Sequence, residues 1–260
     1  MPDFDTSVPH IARVYDYWLG GKDNFAADRA MGERTLQAYP NLVFSVRANR
    51  AFLARTVRFL VGTAGIRQFL DIGTGIPTAN NTHQVAQHIA PETRIVYVDN
   101  DPVVLSHAQA LLRSSPEGAC AYIDADLRDP DAILAGAAKT LDFSQPVAVM
   151  LIAVMHFVGD DAEASTIMNR LMGGCVPGSY VALSHAASDI DADQMAEMVR
   201  RLNESTAEKT TLRDRAGVTR LFAGLDLVEP GVIRAAEWRP DTDLEAASPA
   251  ALWAGVAREP

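Results

Sequence analysis

From Ile66 onward the chain alternates short β-rich runs with helical stretches, and this rhythm narrows the fold more than any other feature. The runs are Gln68 to Ile72, Arg94 to Val98, Cys120 to Ile123, Val147 to Val154 and Ser179 to Ser184. Strands separated by helices are the mark of a parallel sheet with crossover connections. The helices carry their own start signals: Asp101-Pro102, Asp129-Pro130, and Asp160 with Glu163 three residues on as a capping box. The rhythm breaks towards the C-terminus. Leu225 to Val228 and Ala251 to Ala257 have no clear helix between them, only the acid- and proline-containing stretch Glu237 to Pro249, so a terminal antiparallel hairpin is expected. Residues 1–62 read as helices. Ile11, Val14, Tyr15, Trp18 and Leu19 form one apolar face that Gly20-Gly21 ends, a second helix runs from about Asn24 to Tyr39, and a third from its cap Asn41 to Gly62. The predicted organisation is a helical cap over residues 1–62 followed by an α/β core over 63–260. The sequence has no internal repeat and no low-complexity segment.

The first strand leads into "FLDIGTGIPTANNTH", Phe69 to His83. A strand entering a Gly-x-Gly turn and then a helix is the generic start of a nucleotide-binding βαβ unit. In the dinucleotide version the turn and the helix N-terminus receive a pyrophosphate, and a third Gly or Ala packs helix on strand. Here the third position is Thr78, preceded by Pro77. Asp71, pointing at the same turn, would repel a diphosphate but suits a ligand carrying an ammonium and a sulfonium. S-adenosylmethionine is such a ligand. The competing reading makes Asp71 a turn-stabilising residue of some other α/β protein. The next strand ends continue the series. "YVDNDP" puts Asp99 where an acid can accept from both ribose hydroxyls, with Asn100 beside it. "YIDADLRD" offers Asp126 to an adenine amine and the Leu127 N–H to the ring, with Asp124 competing for the first role. Asp101 and Asp129, each just before a proline, read instead as helix caps.

The chain as a whole sets outer limits. Its 260 residues, 48% hydrophobic and 22% charged, are an ordinary soluble composition that can bury a sizeable core. A formal charge of −10 argues against unaided binding to nucleic acid or to an anionic membrane surface. Met1 to Asp5 lacks a secretory layout, and the apolar run Val147 to Met155 falls far short of the roughly 20 residues that span a bilayer. A cytoplasmic location is expected. Cys120 and Cys175 stand far apart without a metal-ligand pattern, so two reduced, buried thiols and no metal site are expected.

Several longer stretches carry a resemblance. "ARVYDYWLGGKDNFAADR" (Ala12 to Arg29), "RANRAFLARTVRFL" (Arg47 to Leu60), "DIGTGIPT" (Asp71 to Thr78), "NTHQVAQ" (Asn81 to Gln87) and "PGSYVALSH" (Pro177 to His185) are similar to a bacterial S-adenosyl methyltransferase family formerly classed as a domain of unknown function. The core resembles the class I, Rossmann-like methyltransferases. The resemblance implies a seven-stranded, mostly parallel sheet with an antiparallel last strand. It also implies S-adenosylmethionine at Asp71, Gly73, Gly75, Asp99, Asp126 and Leu127, and N-terminal helices covering that site. Ala153, at the end of the fourth strand, is counted with these contacts.

The methyl acceptor is less legible. "LIAVMHFVGDD" after the fourth strand lacks the Asn/Asp-Pro-Pro-aromatic motif with which amino-methylating nucleic-acid enzymes grip an extruded base, so a small-molecule acceptor is expected. Methylation could fall on oxygen, nitrogen or carbon. His156 lies where the reactive methyl should project and could act as a general base, a buried structural imidazole being the alternative. Alignment and desolvation can supply most of the acceleration without a base, because a sulfonium is a good leaving group. His10, His83 and His185 read as structural. "YDYWLGGKDNF", Tyr15 to Phe25, reads as a lid in which Tyr15, Lys22 and Asn24 approach the cofactor and the Lys22 cation meets its carboxylate. Three readings follow: a small-molecule methyltransferase serving secondary metabolism; a noncatalytic S-adenosylmethionine-binding protein; and an NAD-dependent oxidoreductase, which Asp71 and the missing third glycine disfavour.

Overall fold

The computed structural model describes residues 5–111 and 113–260; Met1 to Phe4, read above for a targeting signal, lie outside them. Three helices come first: α1 (Ile11–Trp18), α2 (Ala26–Ala38) and α3 (Leu42–Gly62). The alternating part then runs β1 (Gln68–Ile72), α4 (Thr82–Ile89), β2 (Arg94–Asp99), α5 (Pro102–Leu111), β3 (Ala119–Asp124), α6 (Pro130–Ala137), β4 (Ala148–Ile152), a 3-10 turn (Met155–Phe157), α7 (Asp161–Gly173) and β5 (Tyr180–Ala186). The remainder is α8 (Ala192–Ser205), α9 (Arg215–Arg220), β6 (Asp226–Leu227), β7 (Ile233–Arg234), α10 (Asp243–Ala246) and β8 (Leu252–Arg258).

Strands β1 to β5 are parallel in the order β3-β2-β1-β4-β5, and β8 adds antiparallel to β5. The expected hairpin is present, with Leu227 opposite Ala257. The sheet has eight strands rather than seven because its far edge is broken into two short pieces, β6 and β7, both antiparallel to β8. The direction in which successive strands are added reverses between β1 and β4, and in open α/β sheets that switch point opens a crevice at the carboxyl edge.

Successive strand residues face opposite sides, and the two sides bury different helices. Phe69, Ile95, Tyr97 and Met150 share a core with Val14, Trp18 and Phe52 of α1 and α3 and with Met195, Met198 and Leu202 of α8. Leu70, Val96, Val98 and Leu151 pack with Ile133, Ile167 and Leu171 of α6 and α7. The cap helices therefore share the core of the first face. Polar ties reinforce this: Arg55 of α3 is buried, donates to the carbonyls of Trp238 and Ala235, and pairs with Glu245. Helix α8 went unread in the sequence, although Met195, Met198, Val199 and Leu202 repeat at helical spacing and are all buried.

Asp101, Asp129 and Asp160 do cap their helices, accepting from the N–H groups of Val103, Ala132 and Glu163. Cys120 and Cys175 are free and half-buried, and burial raises both thiols, to about 11 and about 12. Among the described residues no helix is long and apolar enough to cross a membrane, and no cluster of three metal-ligating side chains occurs.

Helices α1 and α2 are held together by a buried pair. Asp28, fully buried, accepts from Arg13 Nε at 2.9 Å and from the backbone N–H groups of His10 and Phe25. Replacing Asp28 with Ala takes a carboxylate from a buried guanidinium and two donors, which should cost about 3–5 kcal/mol. Urea denaturation monitored by far-ultraviolet circular dichroism measures this loss.

Candidate active site

A cavity of about 590 Å³ opens at the carboxyl ends of β1 to β4, beneath α1 and α3. Its floor is the Gly-x-Gly turn. Gly73 and Gly75 both adopt positive φ, +71° and +63°. A Cβ on Gly73 would stand 2.3 Å from Val154 Cγ2, whereas one on Gly75 would meet nothing within 4 Å and would simply occupy the cavity. Helix α4 begins only at Thr82, after an intervening loop in which the Thr78 N–H donates to its cap, Asn81. The Thr82 hydroxyl donates to Asp71 Oδ2 at 2.6 Å. Where a dinucleotide fold would present a helix N-terminus directly to a diphosphate, this chain presents a carboxylate.

Asp71 is buried, and its other oxygen has no hydrogen-bond partner among the described residues. Burial raises its pKa to about 6, against the lowering effects of the Thr82 bond and of the Arg50 charge, while Asp99 raises it further. Asp99 accepts from the N–H groups of Gly75 (2.9 Å) and Asp101 (3.0 Å), and burial raises its pKa as well. Two cavity-facing acids thus lie side by side without a cation bonded to either among the described residues, an arrangement that favours a cationic ligand with hydroxyl donors. Asp126 and Leu127 line the cavity at the end of β3, and the Leu127 N–H makes no hydrogen bond among the described residues. Asp126 is partly exposed and accepts from the Arg128 N–H. Its competitor Asp124 is exposed and does not line the cavity. Asn100 and Ala153 also line it.

The N-terminal segment divides. Tyr15 and Trp18 of α1 form cavity wall, but the glycine turn that follows folds back on itself. Asp16 accepts from the Asp23 N–H and from Asn24 Nδ2, and a Cβ on Gly21 would fall 1.9 Å from the Asp16 carboxylate. Asn24 is therefore a buried brace of this turn, and Lys22 is exposed; neither lines the cavity. The structure thus does not bring these two residues, expected to meet the cofactor, to the cavity. The cation acting on Asp71 is Arg50 of α3, which lines the cavity and whose charge also acts on Tyr15. Its Nη2 donates to the carbonyls of Ala79 and Asn80. Sequence reading missed it, although Val46, Asn49, Arg50 and Leu53 recur at helical spacing on the face that proves to line the cavity.

His156 is where the sequence puts it, in the cavity wall just beyond β4. Its environment does not suit a base. Burial, with His185 and the Arg213 cation nearby, lowers its pKa to about 3, so the ring is neutral and accepts protons poorly at physiological pH. Away from the acids the wall is mostly apolar, formed by Trp18, Leu42 and Val46 together with Met195, Met198 and Leu202 of α8.

The paired acids, the open space at Gly75 and the free Leu127 N–H fit a ligand of the S-adenosylmethionine type. Comparison with known proteins agrees. Residues 1–260 match the model of a family described as S-adenosyl methyltransferase. A DUF574 family protein of Streptomyces avermitilis is 43% identical, with a TM-score of 0.94 over 98% of this chain and 99% of that one. A candidate methyltransferase of Thermobifida fusca is 42% identical, with a TM-score of 0.90 over 99% and 97% of the two chains. An O-methyltransferase family 2 protein of Planctomyces limnophilus, 15% identical with a TM-score of 0.52 over 90% and 67%, shares the fold. No curated protein matches. The chain belongs to the S-adenosyl methyltransferase family and is an S-adenosylmethionine-dependent methyltransferase.

Proposed function

We propose that the chain methylates a small, largely apolar molecule, a specialised metabolite rather than a nucleic acid, and does so in the cytoplasm without a membrane partner. The observation that carries this reading is the cavity, which continues from the acid-lined turn into a compartment walled by Trp18, Leu42, Met195, Met198 and Leu202. Such a compartment suits an uncharged body and offers no basic track for a phosphate backbone. Residues 1–62 serve as the cap that closes it.

S-adenosylmethionine, when bound, supplies an electrophilic methyl group on a positive sulfur. The chain's residues then have separable tasks. Asp71 and Asp99 would hold the ammonium and the ribose, Asp126 and Leu127 the adenine, and Arg50 would meet the carboxylate. The cap and the apolar wall exclude water and align the acceptor, which is where most of the acceleration originates in this reading. Mass spectrometry of small molecules released from freshly purified protein, followed by incubation of apolar phenols, amines and carbonyl compounds with labelled cofactor, tests the proposal. Label transfer to a small apolar acceptor is expected; label transfer confined to RNA, DNA or protein would overturn it.

Replacing Arg50 with Gln should weaken S-adenosylmethionine binding by about tenfold or more, the scale of a lost charged hydrogen bond. Replacing Lys22 with Ala should leave affinity unchanged. Isothermal titration of both variants distinguishes the two cations.

Asp71 gives the binding a pH dependence. Its folded pKa, about 6, lies above the ordinary value of 3.8, so its stabilising effect on the free fold is present below about pH 4 and is lost as the pH rises through 6. A cationic ligand favours the ionised form. Affinity should therefore rise with pH up to about 6 and then level, with proton release on binding at the acidic end. Titrations in buffers of different ionisation enthalpy count that proton, and Asp71→Asn should abolish its release.

A further inference from the structure

The segment carrying His156 is fastened more firmly than a wall turn requires. The Thr211 N–H donates to the His156 carbonyl at 2.7 Å, and Arg213 donates to the carbonyls of Val158 (2.8 Å) and Met155 (3.4 Å). Arg213 is itself buried and held by Asp161 of α7 at 2.8 Å. Its Nη1 also stands 2.8 Å from His185 Nε2 on β5. A guanidinium can only donate, so His185 Nε2 accepts, and its Nδ1–H points to the Ala186 carbonyl at 2.9 Å. His185 is thus a neutral ring in one defined tautomer. It meets His156 edge to face at 5.8 Å, and Phe157 closes the other side at 4.4 Å.

Between these neighbours the two nitrogens of His156 are unequal. Nδ1 is buried with no partner among the described residues. Nε2 has no hydrogen bond either but is not among the buried atoms, which makes it the nitrogen accessible from the cavity. A neutral ring must carry its proton on one of them. A buried N–H without an acceptor is among the rarest features of folded proteins, and a lone pair without a donor is better tolerated, the more so with the Arg213 charge nearby. The proton therefore belongs on Nε2.

We propose that His156 is a positioning residue that donates its Nε2–H to an oxygen of the acceptor, and that the acceptor is an apolar molecule presenting such an oxygen to the compartment beside α8. His156 then takes no proton during transfer; it fixes the acceptor's orientation. This rests on the small-molecule reading above and narrows it to acceptors carrying a carbonyl, enol or phenol oxygen.

Two measurements test it. Long-range proton–nitrogen NMR on histidine-labelled protein, with His156 assigned by its loss in His156→Gln, should show the neutral Nε2–H tautomer from pH 6 to 8. An Nδ1–H tautomer, or titration within that range, would overturn the proposal; this readout observes the unmutated ring, and the variant serves only to assign its signal. The second measurement compares 2-acetylnaphthalene with 2-ethylnaphthalene, matched in shape and differing in one oxygen, on protein saturated with S-adenosylhomocysteine. The ketone should bind about three- to tenfold more tightly, the preference should persist in His156→Gln, and it should vanish in His156→Phe. A preference that survives in His156→Phe, no preference in the wild type, or binding of neither probe would each refute it. Failure of S-adenosylhomocysteine itself to bind would instead count against the cofactor assignment.

Discussion

A carboxylate buried at the end of the central strand is the constraint around which the site is organised. Raising Asp71 from 3.8 to about 6 corresponds to a penalty on the order of 3 kcal/mol for its charged form. The fold tolerates this with a single short bond from Thr82 and the more distant charge of Arg50. Neither neutralises it. Asp99 compounds the problem from the next strand, its charge raising Asp71 further. A fold optimised only for its own stability would place a neutral residue at one of these positions. Their joint presence at the topological switch point follows if a cation completes the site, and it explains why α4 starts late: a helix N-terminus pressed against the Gly-x-Gly turn would offer its dipole to an anion instead.

The same sequence features that fix the sheet also explain what was legible. Parallel strands buried on both faces read as continuous apolar runs, and Gln68 to Ile72 is recovered to the residue. The acids at the strand ends are legible because parallel strands bring their carboxyl ends to one edge whatever the connecting helices do. The divided edge formed by β6 and β7 was not, because two-residue strands carry no period. Helix α8 did carry one, in Met195, Met198, Val199 and Leu202, but it falls between β5 and the terminal hairpin, where the β-α rhythm is already broken.

The cations show a different limit. Lys22 adjoins two glycines whereas Arg50 lies inside a helix, and local pattern therefore favours Lys22. What decides between them is tertiary. The Gly20-Gly21 turn is wound around the Asp16 carboxylate, which takes the Asp23 N–H and the Asn24 amide and leaves Lys22 outside. Arg50 lies on a helix whose neighbouring turns already face the cavity through Val46, Asn49 and Leu53. A side chain's neighbours along a helix face predict its company better than the composition of the nearest loop does.

Ala153 links these levels. It is a non-glycine residue at φ +56°, a conformation that persists only when its surroundings over-determine it. The determination can be traced outward. Its N–H donates to the Ser184 carbonyl and hydroxyl oxygens at 3.2 and 3.0 Å, and the Ser184 hydroxyl donates to Asn49 Oδ1 at 2.5 Å. Asn49 Nδ2 in turn donates to the Tyr15 hydroxyl at 2.9 Å. A strained residue at the end of β4 is thereby held through β5 and α3 to α1. Helices α1 and α3 consequently do more than line the cavity: through Tyr15 and Asn49 they shape the strand end on which the cavity floor depends, so these helices and the carboxyl edge of the sheet are joined by one chain of hydrogen bonds.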